Sequence, residues 1–250
     1  MFWHLNNPCF RVRVQSGASM KRVEDECQDN LIEGFRDFIA DRDFACVGAK
    51  SALAKNQATF FVGHSLCATD DDCGLLAQLY RFIDEYRRAP VVYTTFVAIF
   101  KNPRDLSEIE FETALWRRLS ALHQLDSTHY QWDDRVSADT ASPLFGFSVK
   151  SEACFVIGLH GAASRTSRRF DHPTLVFNVH DQFERLRSED RFDVLRDAIR
   201  ARDAAKDGAP NPMVSNFGEI TEARQYSGRR VDDRWRCPFS GAGRNTAARA

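Results

Sequence analysis

The chain carries no CxxC pair, no GxGxxG run and no window near the roughly 18 apolar residues that a membrane span requires. A zinc site of the usual spacing, a nicotinamide or flavin fingerprint and a membrane-spanning helix are therefore not expected. The seven cysteines are odd in number, which argues against a disulfide framework. The N-terminus lacks a basic region followed by an apolar run of signal-peptide length. The chain thus reads as soluble, reducing and cytoplasmic, with no membrane partner. A net charge of −1 gives no overall basic field, so nucleic acid is not an expected partner. Lysine is also scarce. It occurs at only six positions, and arginine makes up the rest of the 34 basic residues. Codon bias accounts for such a ratio, but arginine also offers a planar fork suited to carboxylates.

What is present is an ordinary globular composition, 43% hydrophobic and 28% charged over 250 residues, enough for one sizeable core. Residues 1–18 read as an N-terminal arm, with strand-like alternation from Phe10 to Val14. Residues 19–239 read as a single domain and 240–250 as a loose tail. Val23, Cys27, Leu31, Phe35 and Phe38 recur at helical spacing between Lys21 and Ala40. A helix begins near Cys46, where free N–H groups favour an anion or a thiolate. Asp70, Asp71 and Asp72 form a solvated capping turn before a helix through Leu75, Leu79, Ile83 and Tyr86. Val91 to Phe100 is the strongest strand. A helix from about Leu106 to Leu125 starts with a capping box, Asp105 with Glu108 or Ser107 with Glu110. After a polar loop over 126–143, Leu144 to Val149 and Cys154 to Leu159 form a hairpin. Asp181 with Glu184 suggests another capping box. The helix that follows, broken near Ser188, ends near Arg202. Beyond Asp207 the chain is turn-rich and docked by Met213, Phe217, Trp235 and Phe239. The fold class is α+β: a single domain with a mixed or mainly antiparallel sheet of four or five strands and packed helices.

Chemistry concentrates between Cys154 and Glu184. Two apolar strands end at His160 and His180, and Arg165, Arg168 and Arg169 lie between them. A histidine at a strand end beside clustered arginines suits an iron cofactor with anionic arms. The same pattern also describes a polar loop joining two core strands.

Seven phrases carry a family resemblance: FACVGAKSALAK (44–55), TTFVAIFKNP (94–103), FETALWRRLSALHQLD (111–126), FVIGLHGAASRTSRRF (155–170), PTLVFNVHDQFERLR (173–187), NPMVSNFG (211–218) and EARQYSGRRVDDRWRCPF (222–239). Through them the chain resembles the YqcI/YcgG family. Characterised members are haem-b proteins that N-hydroxylate guanidino compounds, arginine or an arginine-derived guanidine, in specialised metabolism. The resemblance implies a haem-dependent N-oxygenase of monooxygenase type, cofactor haem b, acting on a guanidino or amino nitrogen of a small arginine-like metabolite. It implies O2 or peroxide as co-substrate and an external electron donor, and leaves a homodimer open. His160 is the first choice as axial ligand of the iron, His180 the second and Cys46 the third. Gly161 stands where the family usually has proline after that histidine. Arg165 and Arg168 are expected at the haem propionates, with Lys50 and Arg169 as alternatives. His180 and Tyr226 are the catalytic candidates, and Trp132, Glu184, Glu222 and Arg224 the substrate-binding ones, with Asp133 and Arg229 also considered. The competing readings are a non-catalytic haem or small-molecule sensor, and a haem-free enzyme with Cys46 as nucleophile.

Overall fold

The computed structural model describes residues 18–241. Strand β2 (Thr95–Asn102) is buried without a break from Thr95 to Phe100, so it has no polar face and needs cover on both sides. It pairs in parallel with β1 (Ala58–Ser65) and antiparallel with β5 (Thr174–Val179). Beyond β5 lie β4 (Glu152–Leu159) and β3 (Phe147–Val149), both antiparallel, giving the order β1-β2-β5-β4-β3. The one parallel pair requires a crossover, supplied by α3 (Asp72–Arg88). The fold is α+β with a mixed five-stranded sheet.

Side chains alternate between two helical layers. Phe96, Ala98, Phe100, Val156, Leu175 and Phe177 pack with α3 and α4 (Glu108–Asp126). Val97, Ile99, Leu159 and Val176 pack with α1 (Ala18–Ala40) and the start of α2 (Val47–Ala54). On this second side also lie α5 (Asp181–Ser188) and α6 (Phe192–Asp207). The last helix, α7 (Ala223–Tyr226), packs against β4.

Local signals explain several boundaries. Ser107 and Glu110 form the expected capping box of α4; Asp105 and Glu108 do not. Lys150 and Ser151, at φ 53° and 52°, make the tight turn joining β3 to β4. Gly208, at φ 77°, ends α6 in the left-handed conformation, five residues beyond the expected stop.

Other expectations change. The strand expected from Val91 starts at Thr95, because the chain turns first, with Tyr93 at φ 70°. Asp181 does not cap α5; His180 occupies that position, and Asp181 accepts from Tyr86 Oη at 2.6 Å and Arg185 Nε at 2.8 Å. Asp72 is not solvated: it pairs with Arg118, which also donates to the carbonyls of Ser65, Leu66 and Ala68. Both groups are buried, so each neutralises a charge that is otherwise costly to bury. Cys73 is disulfide-bonded, a pairing the odd cysteine count neither required nor excluded. The expected arm over 1–18 and tail over 240–250 fall almost wholly outside the described residues. Among those described, no helix is long and apolar enough to cross a membrane.

Gly158 of β4 faces Phe111 and Leu115 of α4. A Cβ there would lie 2.6 Å from Phe111 Cε1 and 2.8 Å from Leu115 Cδ1. Gly158→Ala is therefore expected to lower stability by about 1–3 kcal/mol through overpacking. The check is urea unfolding, with a lower midpoint and an unchanged slope; an unchanged midpoint would contradict this packing.

Candidate functional site

The run of β5 is apolar after Thr174 except for Asn178, and it is followed by His180. Period-two alternation puts Val176, Asn178 and His180 on one face, beside Phe155, Ile157 and Leu159 of β4. Over this face α1, α2, α5, α6 and residues 210–217 leave a cavity of about 540 Å3 with a mainly apolar lining. Small-molecule and cofactor sites span about 300–1,000 Å3.

Polar side chains interrupt that lining, among them His180, Glu222, Cys46 and Arg168. His180 precedes α5, with Nε2 3.1 Å from Glu222 Oε1 and its ring edge-on to Phe217 at 5.2 Å. Glu222 is only 4% exposed. The same Oε1 accepts from Tyr226 Oη, a fully buried phenol. Tyr226 Oη also accepts from Phe147 N–H at 3.1 Å and lies 3.2 Å from the Cys154 carbonyl. Burial first, then the Glu222 carboxylate, push the phenol well above its ordinary pKa, so it stays protonated. Trp116 stacks on its ring at 5.4 Å.

Cys46 lines the opposite wall as the N-cap of α2, its Sγ accepting from Ala49 N–H at 3.4 Å. The helix start was expected to favour a thiolate. Burial outweighs it and pushes the thiol up, against the Ala49 and Gly48 N–H groups and Arg168. Arg168 donates to the carbonyls of Gly158 at 3.0 Å, Gln225 at 3.2 Å and Tyr226 at 3.3 Å. No carboxylate among the described residues is within ion-pair distance of it. Burial pulls its guanidinium down to about 10, partly offset by Asp203, so it remains charged at neutral pH.

A family model matches residues 35–240. The chain belongs to the YqcI/YcgG family. The matched segment of this YqcI/YcgG chain spans every residue that lines the cavity, from Phe35 to Gln225. No curated protein and no solved structure matches it.

Within this YqcI/YcgG domain the candidate residues divide. His180, Glu222, Cys46 and Arg168 line the cavity, and Glu184 lines it too, paired with Arg187. Tyr226 stands directly behind Glu222. His160 is elsewhere: it is 1% exposed and stacked on Phe111 at 4.3 Å, among the α4-side residues rather than at the cavity. Burial lowers its pKa. Arg165 is held by Asp203 and Asp207, and Arg169 by the carbonyls of Ala163 and Ser164. Lys50 ties down the carbonyls of Asp41 and Arg42. Trp132 packs with His123, Phe145, Phe147 and Phe239. Arg224 binds Asp233 and the Val231 carbonyl, Arg229 binds Glu112, and Asp133 binds Arg135. None of the candidates His160, Arg165, Arg169, Lys50, Trp132, Arg224, Arg229 and Asp133 lines the cavity.

Asn178 and Gln182 were not singled out from the sequence. Asn178 lines the cavity with no hydrogen bond to its side chain among the described residues, and Gln182 Nε2 donates to the Thr94 carbonyl at 3.0 Å. The available signal for Asn178 was its parity with His180.

The raised Cys46 thiol sets a chemical expectation. At pH 7.5 iodoacetamide should modify Cys46 about tenfold or more slowly than the exposed Cys67, with the rate climbing as pH rises and thiolate forms. Peptide mass mapping over time checks this; equal rates at pH 7.5 would contradict it.

Proposed function

We propose that the cavity binds haem b and that the chain is a haem-dependent oxygenase that N-hydroxylates a guanidino or amino nitrogen of a small arginine-like metabolite. The observation that carries the reading is one large apolar cavity, inside the family-matched segment, that brings an imidazole, a thiol and a carboxylate-free arginine together. The donor set fits the group. A porphyrin needs apolar walls, an axial nitrogen or sulfur donor, and cations for its propionates.

His180 would hold the haem iron in this proposal. Cys46 is the other donor on the cavity, but burial holds it as a neutral thiol, a poor ligand until it loses its proton. His160 has no access to the cavity, so it is not used. Arg168 takes a propionate, which supplies the negative partner that it otherwise lacks. Bound haem supplies the iron at which O2 or peroxide is activated, with electrons from an external donor. The chain's own residues do the rest. Phe155, Ile157 and Val176 exclude water, and Glu184, a cavity carboxylate held by Arg187, is the one that would meet a guanidinium.

Haem titration followed by absorption spectroscopy, with arginine-dependent oxygen uptake under a reductant, tests the proposal. A Soret band expected for the wild type should be lost or displaced in His180→Ala and unchanged in His160→Ala. Its absence from the wild-type chain would overturn the haem reading. A Soret band with no uptake for arginine or other small guanidines would overturn the oxygenase reading and leave a haem-binding sensor.

A further inference from the structure

The Glu222 carboxylate is placed between two groups. Its Oε1 faces Tyr226 Oη on one side and His180 Nε2, at 3.1 Å, on the other. Tyr226 has one proton to give. Its oxygen already accepts the Phe147 N–H, which aims the phenol within reach of both Glu222 and the Cys154 carbonyl. An ionised carboxylate is the stronger acceptor of the two. Because Oε1 already accepts from the phenol, a bare His180 Nε2 would set two lone pairs against each other, so Nε2 must carry a proton.

We infer that Glu222 is a positioning residue: it fixes His180 as the Nε2–H tautomer and leaves Nδ1 as the nitrogen available to the cavity. Among the described residues no hydrogen bond reaches His180 Nδ1. Glu222 is thereby removed from the groups that meet a cationic substrate, because its Oε1 is committed to the phenol and the imidazole. Tyr226 holds Glu222 from behind, and Trp116 holds Tyr226. The imidazole thus inherits its orientation from a buried chain of side chains rather than from solvent. Metal-bound histidines habitually donate their second ring N–H to such a carboxylate, and losing that partner typically costs about 10–100-fold in metal affinity.

The inference rests on the cavity being the functional site proposed above, but its test does not require haem. Histidine-labelled, haem-free protein examined by long-range 1H–15N correlation should show His180 with a protonated Nε2 and an unprotonated Nδ1 at pH 8. Glu222→Leu removes the acceptor and should let His180 drift toward the tautomer mixture of a free imidazole. Tyr226→Phe keeps the Glu222–His180 contact and should retain it. A wild-type His180 in the Nδ1–H form overturns the inference without reference to any variant. So does a folded Glu222→Leu protein with an unchanged tautomer. If haem binds, Glu222→Leu should weaken it by about 10–100-fold. If haem does not bind, the cofactor reading fails while the tautomer still decides this one.

Discussion

Side-chain parity along β4 and β5 decides what this molecule can bring together. Both strands are buried on both faces, so each residue belongs to one layer or the other. Cys154 and Val156 go to the α4 layer, and Phe155, Ile157 and Leu159 to the cavity. His160 follows Leu159 and so falls with Phe111 on the α4 side. His180 follows Val179, which is in the α4 core, and so falls on the cavity. Moving His160 to the cavity would take a one-residue slip of β4, and that would exchange every side chain of the strand between the two layers.

The short helix α7 links these layers. Through Tyr226 it reaches β3 at Phe147 N–H and β4 at the Cys154 carbonyl, with Trp116 of α4 stacked on the ring. Through the carbonyls of Gln225 and Tyr226 it holds the Arg168 guanidinium, and through Glu222 it holds His180. A helix of four residues has little stability of its own. Its position comes from these tertiary contacts, so the two polar ends of the cavity are positioned by one element. That coupling is why a segment near the C-terminus, poor in regular structure, is essential to the site.

Much of the fold was legible. The helical periodicity of Phe35 and Phe38, the Ser107–Glu110 box and the unbroken apolar run of β2 each state a local rule that the structure obeys. The site was legible in its residue types but not in its geometry. His160 and His180 both follow apolar strands, and the family resemblance ranked the first above the second. The run before His160 is apolar at every position, so it carries no parity mark. The run before His180 does carry one, since Asn178 is polar on the same face. The three arginines after His160 also look alike in sequence. Only the fold shows that Arg165 faces the α6 carboxylates while Arg168 turns inward. Asp72 reads as solvent-facing within an acidic triplet, because its partner Arg118 lies 46 positions away.

The central claim is that the functional cavity lies between the sheet and the α2–α5–α6 side, not beside His160. Hydrogen–deuterium exchange with and without one equivalent of haem tests it most directly, because exchange protection reports where a ligand orders the backbone. The account predicts protection over residues 44–53, 176–187 and 210–217, with the segment around Leu106–Phe111 unchanged. Protection confined to that segment and to the loop after His160 would contradict it.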